Sequence, residues 1–285
     1  DGFSVSLGGQ NNRFNSFTVD GAVSNDVFGL AGSGTDGGQT GANPFSIDAL
    51  EQIQIQLAPF DVKISGFTGG AINAITRSGS NNVEGSIYTF FRNADLAGKT
   101  PTALINDGDT REKLADFTAL TYGVRVGAPI VKDKLFIFVN YEKQDNETPQ
   151  PFNISNYRGD SSGADIEALR QYLISTYGYD PGIYDNNAST LVNNMVTAKL
   201  DWNINENHSI TLTHRLQDVD NLEARNSSNG TINFLNGSEL FVNKTNATTL
   251  QWNSSYGNKF ANSMTISYKT VRDDRDPQGS PFPTV

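Results

Sequence analysis

The 285 residues carry a formal net charge of −10, no cysteine, and a mean hydropathy of −0.42. The acidity excludes a nucleic-acid partner, which needs a basic face to displace phosphate counterions; the missing thiols exclude a disulfide framework and thiolate metal sites. No apolar run approaches the ~18–20 residues of a spanning helix, which leaves open a membrane crossed by short, alternately apolar strands.

The opening Asp1-Gly2-Phe3-Ser4 has neither the basic start nor the apolar core of a signal peptide, so a removed leader or an internal piece of a longer protein is expected. Asp20-Gly21 reads as a turn between two strands. The glycine-rich run 29–41 lacks the Gly-Lys-Ser/Thr ending that a phosphate loop requires. Residues 48–57 form an acidic-led amphipathic segment that runs into an alternating strand. Gly66, Gly69 and Gly70 follow where the chain must turn sharply, and glycine allows the positive φ such a turn asks for. A short β-prone run, 71–77, comes next.

From residue 83 onward the pattern is seven long alternating segments: 83–93, 117–128, 134–144, 191–203, 208–217, 245–256 and 261–273. Each is long enough for the ~9–11 tilted residues that cross a bilayer as a strand. Val196, Ala198, Leu200 and Trp202 alternate with Thr197, Lys199 and Asp201; Ile210, Leu212 and Leu216 alternate with Thr211, Thr213 and Arg215. Residues 135–141 are apolar on both faces and predict packing against a second layer or a partner. The links alternate strictly, short (129–133, 204–207, 257–260) and long (94–116, 145–190, 218–244), as the two sides of an outer-membrane barrel demand. Trp202, Trp252, Tyr256 and Tyr268 near strand ends predict an interfacial aromatic girdle. In the second long link, Ile166, Leu169 and Leu173 share one stripe of a helix over 165–174, with Ser162 or Asp165 to cap it and Gly178 to end it.

The order of VDG, IDALEQIQI and GFTGGAINAITRSG in residues 19–79 resembles the C-terminal half of the plug domain of TonB-dependent outer-membrane receptors. The wording around DGA..NDVFG and APFDV..GFTGG.INAITRSG is similar to the Oar-like branch of that family. The resemblance covers about a quarter of the chain. It implies an all-β-dominated fold: a partial plug (small α+β) over 1–82, then antiparallel strands of a large transmembrane β-barrel over 83–285. A plug does not fit an eight-stranded lumen, so further strands beyond these seven are expected.

The resemblance also implies a location in the bacterial outer membrane, with long loops outside and the plug toward the periplasm. Its partners would be outer-membrane lipid, the TonB complex through a region N-terminal to this chain, an unknown substrate, and a surface lipoprotein or secretion partner. Asn25, Asp26, Phe28 and Asn43 then belong to the plug's apical loop and are candidate ligand contacts; a loop without contacts is the equal alternative. Tyr172 and Tyr179 are candidate contacts on the second outer loop, set against packing of that loop on itself. Asp20, Gly21, Gly66, Gly69, Gly70, Asn73 and Arg77 are expected to shape the plug. Arg13, Glu51 and Arg77 are candidates for ion pairs to the barrel wall, against ordinary solvated charge.

No nucleophile elbow, His–Glu zinc motif or catalytic triad occurs, so binding and gating are expected in place of catalysis. No cofactor is implied. The acid pairs Asp107/Asp109, Asp180/Asp185 and Asp218/Asp220 in long links are compatible with calcium, although none completes a ligand loop. His208 and His214 are separated by ~20 Å along a strand at ~3.3 Å per residue and do not share a metal through it. The rival readings are a soluble extracellular β-rich binding or adhesion module, and a barrel scaffold in a secretion or motility assembly. Substrate and direction of transport are not written in the residues.

Overall fold

The computed structural model describes residues 5–60, 64–101, 104, 108 and 110–280. Asp61 and Val62 of the quoted motif, and the acid pair Asp107 and Asp109, lie outside them.

An inner unit is built on a four-stranded sheet: β1 (Ser16–Val19), β2 (Ala22–Val23), β3 (Leu50–Leu57) and β4 (Gly70–Thr76), ordered β2-β1-β4-β3 with β1 and β4 parallel. Asp20 and Gly21 join β1 to β2 with φ of 49° and 74°. Both left-handed residues are what a two-residue type I′ hairpin needs, and Asp-Gly is among its favoured pairs. The core of this unit is Leu7, Phe17, Val19, Leu50, Ile72 and Ala74, with Phe45 stacked on Phe17 at a ring separation of 5.7 Å. Asn73 ties the hairpin to β4: its side-chain oxygen accepts from the Thr18 hydroxyl (2.8 Å) and the Gly21 amide (3.2 Å).

The glycines before β4 act differently from the expectation. Only Gly66 has positive φ, 74°. Gly69 and Gly70 are required for close approach: a Cβ on Gly69 would stand 2.6 Å from Asn15 Oδ1, and one on Gly70 would stand 2.7 Å from the Gln56 carbonyl.

The outer layer is an antiparallel meander of seven strands in chain order. They are β5 (Glu84–Asn93), β6 (Thr118–Val131), β7 (Leu135–Pro151), β8 (Asn186–Asn205), β9 (His208–Glu223), β10 (Glu239–Tyr256) and β11 (Phe260–Pro277). The short and long links fall as the sequence pattern predicts. The strands from β7 onward, however, run several residues further at the long-link end, through Gln150↔Asn187 and Leu240↔Leu222. There the alternation fades because both faces are polar, while the backbone ladder continues. Asp218 and Asp220 consequently sit on β9 and not in a loop.

Burial in this sheet is inverted relative to a soluble protein. Asn140, Glu142, Gln144, Asn193, Thr197, Lys199, Thr213, Gln217, Asn243, Thr245 and Thr249 are buried, and they occupy facing positions of the register. The alternating residues Val124, Val139, Leu200, Leu212 and Ile266 are exposed, and Ile87 is 86 % exposed. The polar face is concave around the inner unit; the apolar face looks outward. In the doubly apolar stretch of β7, Phe138 faces inward and is 1 % exposed. It lies beside Gly127, near the linker at Ser78 and Gly79. Trp202 and Trp252 both face Ile210 across the ladder, forming one row close to the short turns, with Tyr256 nearer still. Tyr268 pairs with Thr248, higher on the wall, and departs from that row.

The loop helix α1 (Gly163–Tyr177) has Ser162 as N-cap in a full capping box with Asp165, and Gly178 ends it in the left-handed conformation. Of the expected stripe only Ile166 is buried; Leu169 is exposed. Ser162→Ala is expected to cost about 1 kcal/mol of helix stability, read as roughly fivefold faster hydrogen exchange in residues 163–177. The Ser162 hydroxyl and amide hold the Asp165 carboxyl below its ordinary value of 3.8. Its contribution is therefore present above 3.8 and fades as pH falls through the lower folded value, a loss that Asp165→Asn should abolish.

Candidate functional site

The seam between the inner unit and the strand wall concentrates the buried charges. At the level of β11, Lys269 Nζ contacts Asp36 Oδ2 at 2.7 Å and donates to the Asn25 carbonyl at 3.2 Å. Ser24 Oγ donates to Asp36 Oδ2 at 3.1 Å, and Arg215 Nη2 reaches Ser24 Oγ at 3.4 Å. Burial pushes the Asp36 carboxyl above its ordinary range, opposed by Lys269. On the opposite flank Arg125 Nε lies 3.0 Å from Asp48 Oδ2, which also accepts from Ser86 Oγ at 2.7 Å. Glu142 accepts from Ser46 Oγ (2.8 Å), from the Tyr88 hydroxyl and from Gln144 (3.1 Å).

Asp20 is the deepest junction. Its carboxylate accepts from the Thr76 amide (2.9 Å) and hydroxyl (2.6 Å) and from Thr213 Oγ1 (3.4 Å), while Gln251 Nε2 donates to its carbonyl at 2.7 Å. Lys199 Nζ caps the Thr76 carbonyl at 3.0 Å. Higher up, Asn193 and Gln217 both donate to the Asn43 carbonyl (3.2 and 2.8 Å), and Asn221 donates to the Thr40 carbonyl at 2.8 Å. Arg275 stacks over Phe241 at 4.3 Å and donates to Gln39 at 2.9 Å.

Among the described residues the ion pairs expected from Arg13, Glu51 and Arg77 are not made. Arg77 Nε donates to the Asp48 carbonyl within the inner unit at 3.2 Å, and Arg13 and Glu51 have no ion pair among the described residues. Lys269, Asp36, Arg125 and Asp48 take that role. Arg125 and Lys269 alternate with apolar residues of their strands, but only the three-dimensional register reveals which loop acid meets each.

Of the candidate contacts, Asn25 is occupied internally, accepting from the Phe17 amide (2.9 Å) and donating to the Asn15 carbonyl (2.8 Å). Asp26 holds its own loop by accepting from the amides of Phe28 (3.0 Å) and Ala31 (2.7 Å). Phe28 is exposed and, with Leu30 and Phe241, lines a cavity of about 500 Å³. The Asn43 side chain lines a polar cavity of about 390 Å³ on the long-link side. Tyr172 meets Tyr177 edge to face at 5.9 Å on α1; Tyr179 follows the helix, outside both cavities. Among the described residues no group of three or more His, Asp or Glu is placed to hold a metal. Asp180 is bound by Arg170 at 3.0 Å, and Asp218 by Lys244 at 3.1 Å. His214 contacts Thr248 and His208 packs on Tyr256, well apart.

A family described as "outer membrane beta barrel domain" matches residues 75–157. Over 220 residues, 74 % of this chain, the sequence is 27 % identical to the TonB-dependent transporter Oar of Myxococcus xanthus, of which this span covers 19 %. The fold is similar to that of the outer-membrane transporter YddB of Escherichia coli, with a TM-score of 0.66 at 12 % identity over 96 % of this chain and 33 % of that one. It is also similar to the siderophore receptor PirA of Acinetobacter baumannii, with a TM-score of 0.55 at 13 % identity over 92 % and 32 %. Over its 220 matched residues the chain is a homologue of a TonB-dependent transporter. Its strands are those of an outer-membrane barrel, and the exposed apolar face of the meander is the face a bilayer covers. The chain thus spans about a fifth of the transporter it resembles and about a third of each solved receptor. A soluble sandwich would bury the apolar face against a second sheet, the reverse of what is observed.

Two outcomes test this seam. Lys269→Met leaves Asp36 buried without its cation, and loss of one partner of such a pair costs about 3–5 kcal/mol. The heat-unfolding midpoint of the detergent-purified protein should fall, and adding Asp36→Leu should recover most of the loss. Leu212→Arg, on the lipid face, should cost about 2–4 kcal/mol and deplete the folded outer-membrane form. Thr190→Arg, on the same outward face but beyond the apolar band, should assemble normally.

Proposed function

We propose that residues 1–82 form the distal part of a plug and residues 83–285 the first strands of the barrel around it. On this reading the whole protein is a TonB-dependent receptor that captures a ligand outside the cell and passes it through a gated lumen. The observation that carries the reading is the inverted burial: a polar concave wall whose partners are the loops of a small sheet seated within it. β5 and β11 each pair on one side only among the described residues. Unpaired backbone groups are not tolerated in hydrocarbon. We therefore read the meander as an arc of a larger closed barrel.

The step performed is binding and gating, with no bond made or broken. Work would come from the inner-membrane proton gradient through TonB, engaged by a segment N-terminal to the plug. The long loops and the plug's outer rim, with Phe28, Asn43 and Tyr172, would meet the ligand. Surface lipoproteins or secretion partners and either direction of transport fit this arrangement. The test is fractionation of cells that make the full-length protein, followed by protease treatment of intact cells. Retention in the outer membrane with cuts only in residues 94–117, 152–185 and 224–238 is expected. A soluble protein, or cleavage at the 132–134 turn on intact cells, would sink the proposal.

A further inference from the structure

The inward cations of the wall divide into two groups. Arg125, Lys199, Arg215, Lys269 and Arg275 each reach a plug residue, as described above. Arg92, inward on β5 because Asn93↔Thr118 and Phe90↔Thr121 fix the register, makes no hydrogen bond or ion pair among the described residues. It lines the 390 Å³ cavity between the plug rim at Asn43 and strands β5 to β8. Glu142, an inward acid on β7, is already taken by Ser46, Tyr88 and Gln144.

Of the other polar side chains in this cavity, Gln144 is held by Glu142 and Asn193, and three are uncommitted. The Asn43 amide, the Thr121 hydroxyl and the Asn146 amide have no side-chain partner among the described residues, while Phe90 and Leu191 supply an apolar wall. One arginine fork surrounded by neutral donors matches a planar carboxylate. A second cation that a dianion would require is missing among the lining residues, in a chain of net charge −10. A volume of this size suits a small organic ligand.

We propose that this cavity is a subsite for an organic monocarboxylate with an apolar or aromatic side group, of the kind a peptide C-terminus presents. Arg92 binds the carboxylate, Asn43, Thr121 and Asn146 complete its hydrogen bonds, and Phe90 and Leu191 receive the side group. The proposal rests on the receptor reading and gives its substrate a chemical class.

The test uses the detergent-purified full-length protein and equilibrium dialysis with N-acetyl-phenylalanine and its neutral amide. Because a hydrogen bond to a charged group is strong, the carboxylate should bind at least roughly tenfold tighter than the amide. Arg92→Gln should erase that preference and Arg92→Lys retain part of it. Since Arg92 makes no hydrogen bond or ion pair among the described residues, both variants should keep the wild-type heat-unfolding midpoint. Equal affinity for the two probes, an unchanged preference in Arg92→Gln, or equal competition by inorganic phosphate would overturn the subsite. If the wild type inserts in the outer membrane but shows no preference, the subsite alone fails. Failure of the wild type to insert overturns the receptor reading itself.

Discussion

The structure depends on satisfying a wall of polar side chains turned inward. A sheet with lipid on its outer face has its apolar residues committed there, so its concave face is left with amides, hydroxyls and charges. Each such group, once buried without a partner, costs about 1–3 kcal/mol. The loops of the inner unit answer that demand over much of the wall, from Asp20 beneath Thr213 and Gln251 to Thr40 beneath Asn221. Where the match lapses, as at Asn140 Oδ1, a buried atom has no hydrogen-bond partner among the described residues.

The dependence runs both ways. The inner unit's own apolar core is small, and β3 exposes Ile53, Ile55 and Leu57. Much of what fixes its loops comes from outside it. Lys269 and Arg125 clamp Asp36 and Asp48 from opposite flanks, while Asn81 exchanges two hydrogen bonds with Asp133 at the first short turn, at 2.6 and 2.8 Å. Asp133 holds a left-handed φ of 64° there, a conformation asparagine and aspartate adopt more readily than bulkier residues.

The wall was legible in the sequence because period-two alternation is a local property. The strand cores, the turns and the phase of short and long links all follow from it. Strands outrun the alternation mainly where both faces become polar, since alternation vanishes there while backbone pairing persists; β6 also runs on to Val131 at the first short turn. The capped helix was legible for a similar reason: Ser162, Asp165 and Gly178 lie within one short segment. The seam was not, because Lys269 and Asp36 are 233 residues apart and nothing near either one names the other. Gly69 and Gly70 show the same limit: a turn and a tight contact both ask for glycine, and only the neighbours Asn15 and Gln56 tell them apart.

Many of the wall's donors are aimed at main-chain carbonyls. Lys199 binds that of Thr76, Gln251 that of Asp20, Lys269 that of Asn25, Asn193 and Gln217 that of Asn43, and Asn221 that of Thr40. A carbonyl is present whatever side chain the residue carries. The rim can therefore exchange side chains at positions such as Asn43 and still dock in the same place. Evolution is free to retune what the rim displays without redesigning the socket that holds it.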